Sequence, residues 1–179
     1  MGLGNWRDRR WRRRRRFNGS ANVIQKLHLK PKRTIRVIAW MNEENGLGGS
    51  KQYAKDHEKD WANHFAVMET DGGADHPVGL HIKAKPEVKA MLKPIGAVLQ
   101  ESGAGALELA EHAGADIEPM EKAGVPAFAP IQDSRFYFNY HHTPADTLDK
   151  IVPKELAENS AVVAVFAYAM ANSEQPLPR

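Results

Sequence analysis

Cysteine is absent from the 179 residues, so neither a disulfide nor a thiolate metal site is available. Any metal would be held by His and carboxylates, a donor set that suits catalytic zinc. No apolar run approaches the roughly 20 residues of a membrane span. The opening residues lack the apolar h-region of a secretory leader, and no internal repeat is visible. What remains is one domain's worth of chain, long enough for a sizeable core.

Acidic residues are scarce in one place only. Residues 1–16 hold eight of the 25 Lys+Arg and one of the 22 Asp+Glu, with five consecutive arginines at Arg12–Arg16. The rest of the chain carries 17 basic against 21 acidic residues, so the formal charge of +3 and the basic pI of about 9.1 come from one short segment. A run of like charge repels itself and tends towards disorder. At face value it is an arm for nucleic acid or another anionic surface, with Trp6 and Trp11 available for stacking.

Beyond that arm the pattern alternates between strand and helix. Residues 21–31 read as the end of a helix, with Val23, Ile24 and Leu27 on one face and Pro31 as its stop. Lys32–Met41 reads as a strand, Gly48–His64 as an amphipathic helix with Tyr53, His57 and Trp61 at four-residue spacing, and Phe65–Met68 as a short strand. Pro86–Gln100 reads as a second helix with a kink at Pro94. The Gly/Ala-rich stretch Gly103–Gly114 has no clear period. Gly124–Ala129 reads as a strand, Arg135–Thr147 as an aromatic and histidine-rich loop, and Pro153–Asn172 as a long helix turning Leu156, Val162, Val163, Phe166 and Met170 inward. Such alternation argues for a layered α/β fold.

Three strand ends or loops could carry chemistry. The first is Glu43-Glu44, after the apolar run Ile35–Met41. The second is Asp71, after Phe65–Met68. The third is Tyr140–Thr147, with His141, His142 and Asp146. Carboxylates and a His at the mouth of an open sheet could converge on a metal site of nitrogen and oxygen ligands. Each also has an ordinary structural reading: a solvated turn for Glu43-Glu44, a turn residue for Asp71 before Gly-Gly, a surface pair for His141-His142, and a helix cap for Asp146-Thr147.

Taken in order, the stretches 40–47 (Trp-Met-Asn-Glu-Glu-Asn-Gly-Leu), 69–73 (Glu-Thr-Asp-Gly-Gly), 123–126 (Ala-Gly-Val-Pro) and 140–150 (Tyr-His-His-Thr-Pro-Ala-Asp-Thr-Leu-Asp-Lys) resemble the M28 family of zinc peptidases, and within it the carboxypeptidase Q-like exopeptidases. The resemblance covers about residues 21–179. It implies a three-layer α/β sandwich with a mixed sheet, and a two-zinc centre bridged by an aspartate and a water. It further implies that Glu43 is the general base, that Glu44, Asp71 and His142 are metal ligands, and that Tyr140 and His141 line the substrate side. Asp116 and Asp146 fall in supporting positions around that centre. His142 is preferred to His141 because the family's ligand stands four residues before the Asp of Asp-Thr. A peptide is the implied substrate, and relatives of this branch are mostly exported.

The family's upstream His and bridging Asp have no counterpart here; the arginine segment stands in their place. Codons can be chosen for Trp-Asp-Leu-Gly-Thr-Gly-Ala-Ile-Asp-Asp-Gly that, read one base out of register, give Met-Gly-Leu-Gly-Asn-Trp-Arg-Asp-Arg-Arg-Trp-Arg, which is residues 1–12. The expectation is that residues 1–20 are disordered, or are the metal-binding stretch translated out of frame, followed by a partial catalytic domain lacking its N-terminal strands. Such a chain would hold at most one zinc, loosely, and be an impaired peptidase. The alternatives are a catalytically inactive protein that keeps the fold, or nucleic-acid binding through the arginine segment.

Overall fold

The computed structural model describes residues 19–179, and the expectations placed on the arginine run lie outside the described residues. Four strands form one mixed sheet in the order β1 (Val67–Met68), β4 (Ala127–Gln132), β2 (Pro77–Lys83), β3 (Ala106–Leu109). β1 runs parallel to β4 and β3 parallel to β2, while the central pair β2–β4 is antiparallel, with Leu80 opposite Pro130 and Ile82 opposite Phe128.

Alternate side chains of a strand leave by opposite faces, and here both faces are covered. Met68, Leu80, Ile82 and Phe128 point into a core built with α3 (Pro86–Met91), α4 (Lys93–Gln100) and α7 (Pro153–Asn172), through Val88, Leu92, Leu99, Val162, Phe166 and Met170. Val67, Ala127 and Ala129 point the other way. They meet Ile117, Met120 and Val125 around α5 (Glu118–Lys122), with Trp40, Tyr53 and Trp61 packed behind. Helices on both sides of a mixed sheet are the layered α/β arrangement the sequence implies. Among the described residues no helix is long and apolar enough to cross a membrane.

The expected long helix is present over Pro153–Asn172, with Val162, Phe166 and Met170 buried at four-residue spacing and Pro153 in its first turn, where no N–H is missed. The expected kink at Pro94 is a full break: Leu92 ends α3, and Pro94 sits in the first turn of α4. α1 (Gly19–Lys26) stops before Pro31 is reached. His28 turns into the left-handed region (φ 54°), and Leu29 N–H donates to Ile24 O while His28 N–H donates to Gln25 O. That is a Schellman closure.

Two expectations are corrected, and one strand went unread. Lys32–Met41 is extended but belongs to no sheet; among the described residues, Arg33 N–H to Ala171 O and Met41 O from Gly49 N–H are its only backbone-to-backbone bonds. Strand pattern is local, whereas a ladder needs a second chain segment beside it. The helix expected over Gly48–His64 is α2 (Gly48–His57) followed by a 3-10 helix, Glu58–Asn63. β2 went unread although Val78, Leu80 and Ile82 alternate with Gly79, His81 and Lys83: the alternation is short, and Pro77 and Gly79 are poor strand formers.

Candidate active site

Glu43 and Glu44 sit in a tight turn at the end of the extended segment. Gly46 N–H and Leu47 N–H both donate to Glu43 O, and Asn42 takes a left-handed φ of 66°. Glu43 is half-buried and Glu44 exposed. From 98 positions further along the chain, His142 brings its Nε2 to 3.0 Å from Glu44 Oε1. His142 is itself held in the left-handed region (φ 58°), uncommon for a side chain of this size. Its ring stacks on His141 with centroids 3.8 Å apart, and His141 stacks on Tyr137 at 4.8 Å. The imidazole is thus aimed by a three-ring stack rising from α6 (Tyr137–Tyr140). With both partners roughly two-thirds exposed, the pair adds about 0–1 kcal/mol to stability. Its interest is the convergence.

Asp71 stands just past β1 on the exposed loop to β2. Burial first, then the charges of Asp71, Asp146 and Glu44, raise the Tyr137 pKa. Asp116 is 5% exposed and its Oδ1 has no hydrogen-bond partner. Burial raises its pKa, the neighbouring Ser50 hydroxyl opposes the rise, and the charges of Glu43 and Asp71 add to it. The charges of Glu43 and Asp71 thus reach the buried Asp116 carboxyl. Tyr140 is half-buried at the end of α6, with Lys150 Nζ 5.9 Å over its ring. Asp146 is exposed in the following turn.

One residue of the site went unread in the sequence. Glu69, 7% exposed at the end of β1, accepts the Ile117 N–H at 3.0 Å and so ties the loop carrying Asp116 to the strand carrying Asp71. Burial, outweighing that hydrogen bond, pushes its pKa up to about 7, with the Asp116 and Asp71 charges assisting. The loop comes this close because residue 114 is glycine: a β-carbon there would stand 2.3 Å from Glu69 Oε2. The available signal was a carboxylate directly continuing an apolar strand.

Zinc ligands of these types lie about 2.0–2.2 Å from the metal, so two of them on a tetrahedral ion are about 3.3 Å apart. The Glu44–His142 separation of 3.0 Å is close to that. Donor type and spacing fit zinc at this pair. Among the described residues, however, no three His, Asp or Glu side chains gather round one point.

Residues 20–167 match the model of peptidase family M28. Carboxypeptidase Q of Homo sapiens is 35% identical over 158 residues, and that of Xenopus laevis 36% over 159. Each alignment covers 88% of this chain; the chain spans about a third of the length of these relatives, 33% and 34%. The crystal structure of a peptidase M28 precursor from Shewanella amazonensis superposes with a TM-score of 0.83 at 39% identity, covering 92% of this chain and 38% of that one. A family model spanning most of the chain, and relatives above 30% identity along nearly all of it, make this protein a member of peptidase family M28.

Proposed function

We propose that the chain is the C-terminal portion of a metal-dependent exopeptidase catalytic domain, spanning about residues 21–179, that hydrolyses peptide bonds near a chain end. The observation that carries the reading is the meeting of Glu44 and His142 at 3.0 Å from positions 98 residues apart. In this reading Glu44, His142 and Asp71 are the residues that hold zinc, and at most one ion, loosely. When bound, zinc polarises a peptide carbonyl and acidifies a water.

The chain's own residues do the rest. Glu43, half-buried, takes the proton of the attacking water and delivers it to the leaving amine. Tyr140 and His141 line the substrate side, and Asp146 faces Tyr137 from the following turn.

The second reading is a protein that keeps the fold without catalysis, favoured by the gathering of only two donors among the described residues. Hydrolysis of unblocked dipeptides in the presence of Zn²⁺ separates the two. The exopeptidase reading expects metal-dependent turnover that Glu43→Ala abolishes with metal content intact. A chain that shows no metal-dependent hydrolysis refutes it and supports the second reading.

A further inference from the structure

The loop from Asp71 to His76 joins β1 to β2 and presents Asp71, Gly72 and Gly73 to solvent. Its internal backbone bond runs from Gly73 N–H to Asp71 O. The rest of its anchorage comes from α7 and the end of β4. Asn159 stands one turn before Val162 on the buried side of α7 and is 8% exposed, a place where an apolar side chain would pack without cost. Its amide instead donates to Asp75 O at 2.5 Å and to Glu155 O at 3.1 Å, while its Oδ1 accepts from Gln132 Nε2 at 3.1 Å. A buried amide is costly unless fully bonded, and this one is bonded on both N–H groups and on its oxygen. Gln132 completes the arrangement: its Oε1 lies 2.8 Å from where a β-carbon of Gly72 would stand, so its amide rests against the residue next to Asp71. At the far end of the loop, His76 O accepts from Asp133 N–H at 2.8 Å, and His76 Nδ1 lies 2.9 Å from Glu158 Oε2.

We infer that Asn159, with Gln132 as its partner, is the positioning residue that fixes the Asp71 loop against α7 and so sets where the Asp71 carboxylate stands relative to Glu44 and His142. The inference rests on the reading of Asp71 as a metal ligand. Asn159→Asp keeps the shape and the acceptor but turns a carboxylate towards two carbonyl oxygens. Asn159→Leu keeps the branching at Cγ, with two bulkier methyl groups in place of the amide, and improves the apolar face of the helix. Both release the loop while leaving the core in place.

The test uses the full chain and two readouts. Hydrogen exchange of the metal-free protein follows the loop, and titration with Co²⁺ followed by visible absorption follows the ligand set. In both variants the Gly72–Asp75 amides are expected to exchange about ten-fold faster, with residues 162–170 unchanged. Co²⁺ binding is expected to weaken about 10–100-fold, with altered band intensities. Gln132→Leu should move both readouts in the same direction, and it carries the test if an Asn159 variant loses protection in residues 162–170. His142→Ala should weaken Co²⁺ binding without touching loop exchange. Unchanged loop exchange overturns the inference. So does a loosened loop that binds Co²⁺ as tightly as wild type, which would make Asn159 a structural prop. Wild-type protein that takes up no Co²⁺ overturns the metal-centre reading and the inference with it; wild-type uptake left unmoved by all three loop variants overturns the inference alone.

Discussion

Gly114→Ala probes the closest approach in the site. The added methyl would stand 2.3 Å from Glu69 Oε2, 2.5 Å from its Cδ and 2.6 Å from its Cβ, where relaxed carbon contacts need about 3.5–4.0 Å. Rotating the Glu69 carboxylate relieves the first two clashes. It cannot relieve the third, because Cβ is fixed by the strand, so backbone must shift as well. Overpacking of this kind costs about 1–3 kcal/mol, and an Ile117 N–H deprived of its acceptor adds about 1–3 kcal/mol. Gly114→Ala should therefore destabilise by about 2–6 kcal/mol. The control is the same substitution beside Glu69→Ala, which removes the carboxylate; the two should couple by about 1 kcal/mol or more. Urea unfolding of the four proteins, monitored by circular dichroism and fluorescence, gives the cycle. An equal cost for Gly114→Ala in both backgrounds would refute the claim that Glu69 and the Asp116 loop are locked together through that glycine.

Glu69 also sets a pH dependence. Its folded pKa of about 7 lies above the ordinary 4.5, so the stability it contributes is full below about pH 4.5 and is lost as pH rises through 7. The shift corresponds to at most about 3 kcal/mol. Glu69→Gln should gain on wild type across that window in chelated protein; thermal midpoints that keep a constant difference from pH 4.5 to 8 would contradict it. In the core, the Phe166 ring lies 4.7 Å from that of Phe128, and neither side chain is exposed beyond 2%. Phe166→Ala should cost about 3–5 kcal/mol by the same urea measurement, whereas a midpoint near the wild-type value would place the core elsewhere.

The fold was legible where the signal was carried within one segment. α7 announces itself through Pro153 and the spacing of Val162, Phe166 and Met170, and Pro94 marks its own break. β2 and β3 were not legible. In the first, the alternation of Val78, Leu80 and Ile82 with Gly79, His81 and Lys83 is too short to stand out, and the second is four residues inside a Gly/Ala-rich stretch, with identity supplied by pairing to β2. Ile35–Trp40 shows the reverse: β-branched and aromatic residues write a strand there, and no ladder partner among the described residues completes it. At the site, the motifs singled out Glu44 and His142, which the fold brings within 3.0 Å of each other. Glu69, Asn159 and Gln132 stayed hidden, since a buried carboxylate or amide is defined by the carbonyls and N–H groups around it, which no local pattern names.

Arg33 spreads its guanidinium over the carbonyls of Met170, Ala171 and Ser173 and lies 4.0 Å from the Phe65 ring centroid, while Ser20 donates to Ser160 O. These ties join positions about 140 residues apart. A polypeptide leaves the ribosome from its amino end at about 5–20 residues per second, so α1 and Arg33 emerge well before the helix they grip. For that interval they have nothing to hold. The seam can close only once α7 has emerged as well, which makes it a late contact in the order of synthesis.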